Sequence, residues 1–255
     1  MPTSQRAFLG ASALLFAASA AVTIGWCGSM SAMGEMEMPG GWTMSMAWMR
    51  MPGQSWAGAA AEFVGMWTAM MVAMMLPSLV PALSRYRQAV VGVDARLGRL
   101  TALVGAGYFS VWIAFGLLAF PIGVALAAVE MEQEALSRAV PIAVGAVVLA
   151  AGALQLTAWK SRQLSEWKAV PTLQPGALAA FRHGLQLGVR CARCCGGLMA
   201  IPLVVGVMDL RAMAVVTVAI TVERLAPAGE KLARAIGAVA LTAGVLLVAR
   251  AAGIG

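Results

Sequence analysis

The chain has 255 residues, 61% of them hydrophobic and 11% charged, with a mean hydropathy of +0.83. Soluble domains run at about 45–50% apolar and about 25% charged, so this composition excludes a soluble fold and makes lipid part of the solvent. The formal charge of +7 does not call for nucleic acid, because the basic residues collect in alternate loops between apolar runs, the positive-inside pattern.

Seven apolar runs follow in chain order, at 7–26, 59–82, 100–128, 139–158, 185–208, 210–225 and 232–250. A helix needs roughly 20 apolar residues to cross the hydrocarbon core, and only the sixth run is short. The predicted fold is therefore an all-α, polytopic transmembrane helix bundle of about seven spans. It has six if the first run is cleaved, since Arg6, Ala7 to Ala17 and Ala18-Ser19-Ala20 also fit a signal peptide. The run continues unbroken through Ile24, which favours a retained helix. The chain divides into a first transmembrane helix or signal anchor (1–26), a Met-rich periplasmic loop (27–58) and a membrane-embedded bundle (59–255).

Charge orients the set. Arg85, Arg87, Arg96 and Arg99 fill the second loop, and Lys160, Arg162, Lys168 and Arg182 the fourth. Arg224, Lys231 and Arg234 lie between the last two runs, whereas Glu35, Glu37, Glu130, Glu132, Glu134 and Asp209 occupy the alternating loops. The expected topology is N-in/C-out, in the multi-pass manner of a bacterial inner-membrane protein.

Eighteen methionines are distributed unevenly. Met30, Met33, Met36, Met38, Met44 and Met46, followed by Met49 and Met51, crowd the first loop in a Gly- and Pro-broken segment that cannot form one regular helix. Thioethers are soft, uncharged ligands that select Cu(I) over hard cations, and Cys27, Glu35 and Glu37 lie close by. The competing reading is interfacial, because Trp42, Trp48 and Trp56 suit a headgroup region and Met is an adaptable filler.

Inside the second run, Met66, Met70 and Met74 recur every four residues and form one helical stripe, with Met71 and Met75 on a neighbouring one. Taken alone, a Met stripe is better explained by core packing. The fifth run carries Arg190-Cys191-Ala192-Arg193-Cys194-Cys195-Gly196-Gly197-Leu198-Met199. On a helix Cys191, Cys194 and Cys195 share a face that Met199 continues. Thiolates with a thioether suit a soft-metal site, and Arg190 and Arg193 would favour the ligating thiolates. Pro202 bends the helix just beyond, and Gly196-Gly197 admits a close neighbour. At 1.5 Å per residue, Met74 and Cys191 both fall about 10 Å inside the cytoplasmic boundary. If the two helices pack together, Met70, Met74 and Met199 meet the thiols there.

Met70 to Pro77 with Pro81, Gln155-Leu156-Thr157 with Lys160, His183-Gly184 and Cys191-x-x-Cys194-Cys195 together resemble a bacterial family of predicted metal-binding integral membrane proteins of otherwise unassigned function. Leu198-Met199, Val205-Gly206-Val207-Met208 and Glu223-Arg224-Leu225-Ala226-Pro227 extend the resemblance, which runs from about residue 60 to the end. It implies a metal-binding role. The chain departs from the family pattern where Ser161-Arg162-Gln163 follow Lys160 in place of cysteines, where Arg193 replaces a small residue, and where Gly196 replaces Trp.

Copper(I) is the expected ion, with zinc or no metal as alternatives. The expected partners are the lipid bilayer, a metal ion and either a membrane protein complex or a periplasmic metal donor. Metal capture, transfer or storage leads. An accessory or assembly subunit of a membrane metalloenzyme complex is the second reading, and a thiol redox protein using Cys191 and Cys194 the third. With a single histidine, a His-rich oxygenase is not expected, and no catalytic residue is assigned.

Overall fold

Long stretches without charge, in a chain that must satisfy its own backbone polar groups away from water, leave helices as the available structure. The computed structural model describes residues 3–32, 34, 36–90, 96–168 and 176–253. Among them are eight α-helices: α1 (Thr3–Ala32), α2 (Trp56–Ala89), α3 (Leu97–Glu132), α4 (Glu134–Gln155), α5 (Ala158–Lys168), α6 (Ala177–Val205), α7 (Leu210–Leu225) and α8 (Gly229–Ala251). Six of these, all but α5 and α7, are long and apolar enough to cross a membrane. The 16 residues of α7 extend about 24 Å. Apolar side chains face outward, as at Leu14, 74% exposed, and Val239, 71% exposed, which water would not tolerate and lipid would. The chain is a multi-pass membrane protein.

Helix directions follow from the contacts. Gly107 of α3 meets Gly184 of α6, and Val111 meets Gly188, so α3 and α6 run parallel. Gly145 of α4 meets Val248 of α8, and Gly152 meets Leu241, so that pair is antiparallel. With the short α6–α7 and α7–α8 connections, the seven longer helices alternate in direction, and the start of α1 and the end of α8 lie at opposite ends of the bundle.

Three local features differ from the linear reading. α1 continues to Ala32, so Cys27 and Met30 stand on a helix rather than in the loop after it. The loop itself contains a two-stranded hairpin, β1 (Met36–Met38) and β2 (Trp42–Met44), pairing Met36 with Met44, and then a 3-10 turn over Met46–Trp48. Trp42 Nε1 donates to the Ser137 carbonyl at 2.9 Å and Ser137 Oγ donates to the Pro39 carbonyl at 3.0 Å, fixing the hairpin to the start of α4. The segment expected as a loop after the fourth span begins with the amphipathic α5, whose Lys160, Leu164 and Trp167 share a buried face. At the same end of the bundle, Arg87 ties three helices together. Its guanidinium donates to Ser4 Oγ at 2.7 Å and to Thr101 Oγ1 at 3.3 Å, and its Cζ lies 4.8 Å from the Phe8 ring centroid.

Candidate metal centre

α2, α6 and α7 converge around Cys191. α2 contains Pro77 and Pro81, and Ser78 Oγ returns a hydrogen bond to the Met75 carbonyl at 3.1 Å within that Pro-weakened stretch. The Cys191 sulfur lies 3.8 Å from Met75 Sδ and 3.8 Å from Cys195 Sγ. All three residues are fully buried, at 0% exposure. Two further groups face the same sulfur: Tyr108 Oη of α3 at 2.8 Å and Arg224 Nη2 of α7 at 3.2 Å. Arg224 also donates to Ser78 Oγ at 3.0 Å and to the Cys191 carbonyl at 3.2 Å, while its guanidinium lies 4.2 Å from the Trp167 ring centroid of α5. A buried cation with this many partners is pinned in place. It supplies the positive charge that a thiolate at Cys191 requires in a medium where an uncompensated charge is costly.

The third cysteine is elsewhere. Cys194 packs with Leu164 and Ala233 in a separate cluster, because three residues advance a helix by about 300° and four by about 400°. Cys195 therefore returns nearly above Cys191, while Cys194 turns aside. Beside it sits a buried polar knot. Lys160 Nζ donates to the Cys194 carbonyl at 2.6 Å, lies 3.9 Å from Cys194 Sγ and forms an ion pair with Glu223 at 2.5 Å. Gln155 Nε2 closes the network on the other Glu223 oxygen at 2.9 Å.

The methionines also divide. Met70, Met74 and Met199 are buried in the main core with Cys191 and Cys195, but the thioether that touches Cys191 is Met75, from the neighbouring stripe. Met38 and Met44 are buried against Ala127 of α3, with Met36, Trp42 and Trp48 packed round them. Those hairpin thioethers form a small core. Met30 and Met46 instead line a cavity at the hairpin end of the bundle. Met33 lies outside the described residues.

Arg190 is half-buried and Arg193 exposed. The guanidinium at the thiols is Arg224, a residue the charge pattern had placed in a loop. Lys160, which the charge pattern likewise puts in a loop, is 2% exposed. The sign that either does more was their place in the Gln155–Lys160 and Glu223–Pro227 motifs. Gly196 has open space around it, Gly197 lies against Leu154 and Ala151 of α4, and Gly107 and Gly184 bring the α3 and α6 backbones together. His183 is half-buried and stacks on Tyr86, with ring centroids 5.5 Å apart.

Among the described residues, no three His, Cys, Asp or Glu side chains are grouped to hold a metal ion. The donors that do converge are two thiols and one thioether, all soft. Fold and site thus define a polytopic membrane protein with a buried sulfur cluster at the junction of its helices. The model of the PpoB2 copper chaperone family matches residues 64–247, and the chain belongs to that family. The match spans every motif of the resemblance from Met70 to Pro227, and membership supports copper binding in general. No curated protein and no solved structure matches the chain.

Proposed function

We propose that this protein is a copper(I) chaperone of the bacterial inner membrane that holds its ion between Cys191, Cys195 and Met75 and passes it to a metalloprotein client. The observation that carries the reading is the pair of sulfurs, Met75 Sδ and Cys195 Sγ, that each lie 3.8 Å from Cys191 Sγ. Metal–sulfur bonds of about 2.3 Å put the sulfurs of a trigonal site about 4 Å apart, and two of the three separations are 3.8 Å. Two thiolates and one Cu(I) leave a single negative charge, which Arg224 neutralises. Tyr108 Oη lies 2.8 Å from Cys191 Sγ, close enough to donate to a thiolate there. Low coordination by sulfur also suits transfer, since an incoming thiolate or thioether can join before another leaves.

A redox role is less favoured by the same geometry, because Cys191 and Cys194 point into different clusters. The assembly-subunit reading is compatible, since a chaperone that loads a membrane metalloenzyme assembles it. Storage would be distinguished by an absence of transfer to a client.

Two measurements test this. Purified protein competing with bicinchoninate for Cu(I) should lose its tightest ion on Cys191→Ser or Cys195→Ser and hold it more weakly on Met75→Leu. Cys194→Ser and Met74→Leu should leave that affinity unchanged. Met→Leu swaps cost under about 1.5 kcal/mol, so stability should change little. Equal losses for Met74→Leu and Met75→Leu would refute the ligand assignment. For orientation, reporters in the 84–99 and 159–183 segments should read as cytoplasmic and those in 36–54 as periplasmic, and the opposite pattern overturns the N-in/C-out placement.

A further inference from the structure

At the hairpin end of the bundle, a cavity of about 120 Å³ is lined by Met30, Met46, Met49, Met51, Met66 and Met208. These six come from four separate parts of the chain: α1, the segment around the 3-10 turn, α2 and the α6–α7 connection. Their convergence is tertiary and does not follow from the local density of methionine. Filler methionines in a core surround one another with no space between. Here six methionines border an open cavity, and Met38 and Met44 of the same loop show the contrasting, fully packed arrangement. Met66 is 3% exposed, so the cavity reaches down to the buried top of the α2 stripe.

Two further observations point to a cation. Cys27 Sγ, 3% exposed, lies 3.8 Å from Met208 Sδ, which adds a second kind of soft donor behind the cavity wall. Glu62, held by a 2.8 Å hydrogen bond from Gln54 Nε2, lines the same cavity and gives it a negative charge. Soft neutral donors beneath one carboxylate attract a monovalent soft cation and offer too few oxygen ligands for Mg or Ca.

We infer that this cavity is a second Cu(I) site, distinct from the Cys191 centre and built mainly from thioethers. The inference rests on the copper reading above. Met30, Met46, Met49, Met51 and Glu62 precede residue 64, so most of the site lies outside the stretch matched to the family. Its position also gives it a use. Met66 stands at the head of the α2 methionines, and nine residues further along, about 14 Å at 1.5 Å per residue, Met75 touches Cys191. Met70, Met71 and Met74, all buried, lie between them.

The experiment is a count of Cu(I) ions per chain in detergent, with bicinchoninate as the competing chelator and ascorbate as reductant. The wild-type protein should bind two. Met46→Leu/Met51→Leu, whose side chains are only partly buried or exposed, should lose or weaken one ion at least tenfold, and Met66→Leu/Met208→Leu should do the same. Glu62→Gln should weaken that ion while the other is untouched. Cys191→Ser/Cys195→Ser should lose only the other ion. One ion in the wild type, lost with the cysteines and indifferent to all the methionine variants, overturns the second site and leaves the chaperone reading standing. No Cu(I) bound by a folded wild-type protein overturns both.

Discussion

Lys160→Met is expected to cost about 3–5 kcal/mol of stability, the range for breaking a buried ion pair from one side. The reason lies in what remains. Glu223 is 0% exposed, and without Lys160 its carboxylate keeps only the Gln155 amide. The Cys194 carbonyl loses its side-chain donor at the same time. Glu223→Met should be nearly as damaging, since it leaves an ammonium buried without a counter-charge. The double variant Lys160→Met/Glu223→Met should recover much of the loss, because an apolar replacement of both partners removes the desolvation cost as well as the attraction. Thermal unfolding in detergent, followed by tryptophan fluorescence, measures all three. A double variant that loses as much as the sum of the two singles would show that the two residues are not energetically coupled and overturn the ion pair as the source of the cost.

The second large effect is expected at the crossing of α3 and α6. A Cβ on Gly184 would run into the Val104 carbonyl oxygen, and one on Gly107 into the Phe181 carbonyl oxygen. Neither obstacle is a side chain that can swing away, so Gly184→Val has to push the two helices apart. Overpacking typically costs about 1–3 kcal/mol and occasionally more, and a backbone-to-backbone clash belongs at the upper end. The consequence is also functional, because α3 carries Tyr108 and α6 carries Cys191, whose side chains lie 2.8 Å apart. Gly184→Val should therefore lower the yield of monodisperse protein and weaken Cu(I) binding in what survives. Gly196→Ala, beside the cysteines but with nothing within 4 Å, should change neither. A Gly184→Val protein with wild-type yield and affinity would mean that the helices separate without disturbing the site.

Fold class was legible because it depends on terms that add along the chain. Each of the long apolar helices can be read from hydropathy and length alone, and so can the alternation of their directions. The soft chemistry was legible too, since Cys191-x-x-Cys194-Cys195 and the Met-rich segments are local. The amphipathic α5 was hidden in a polar stretch, because charge counting treats Lys160, Arg162 and Lys168 alike, whereas a helix turns only Lys160 of the three into the core.

What the sequence by itself determined is therefore a multi-pass helical bundle rich in sulfur and matched to a metal-binding family. Only the tertiary structure decided which sulfurs meet. Helical periodicity makes Met70, Met74 and Met75 equally available to a partner. The placement of α2 and α6 about α3 and α7, with the angular difference between i+3 and i+4, brings Met75 and Cys195 to Cys191 and sends Cys194 to Lys160. In the same way Met30, Met66 and Met208, far apart in the chain, share one cavity, while Met38 and Met44 close a hairpin core. Arg224 and Glu223 are neighbours on α7 and serve two different polar networks. Such pairings are set by the relative placement of helices, a sum of many packing contacts between distant residues, and no local pattern encodes it.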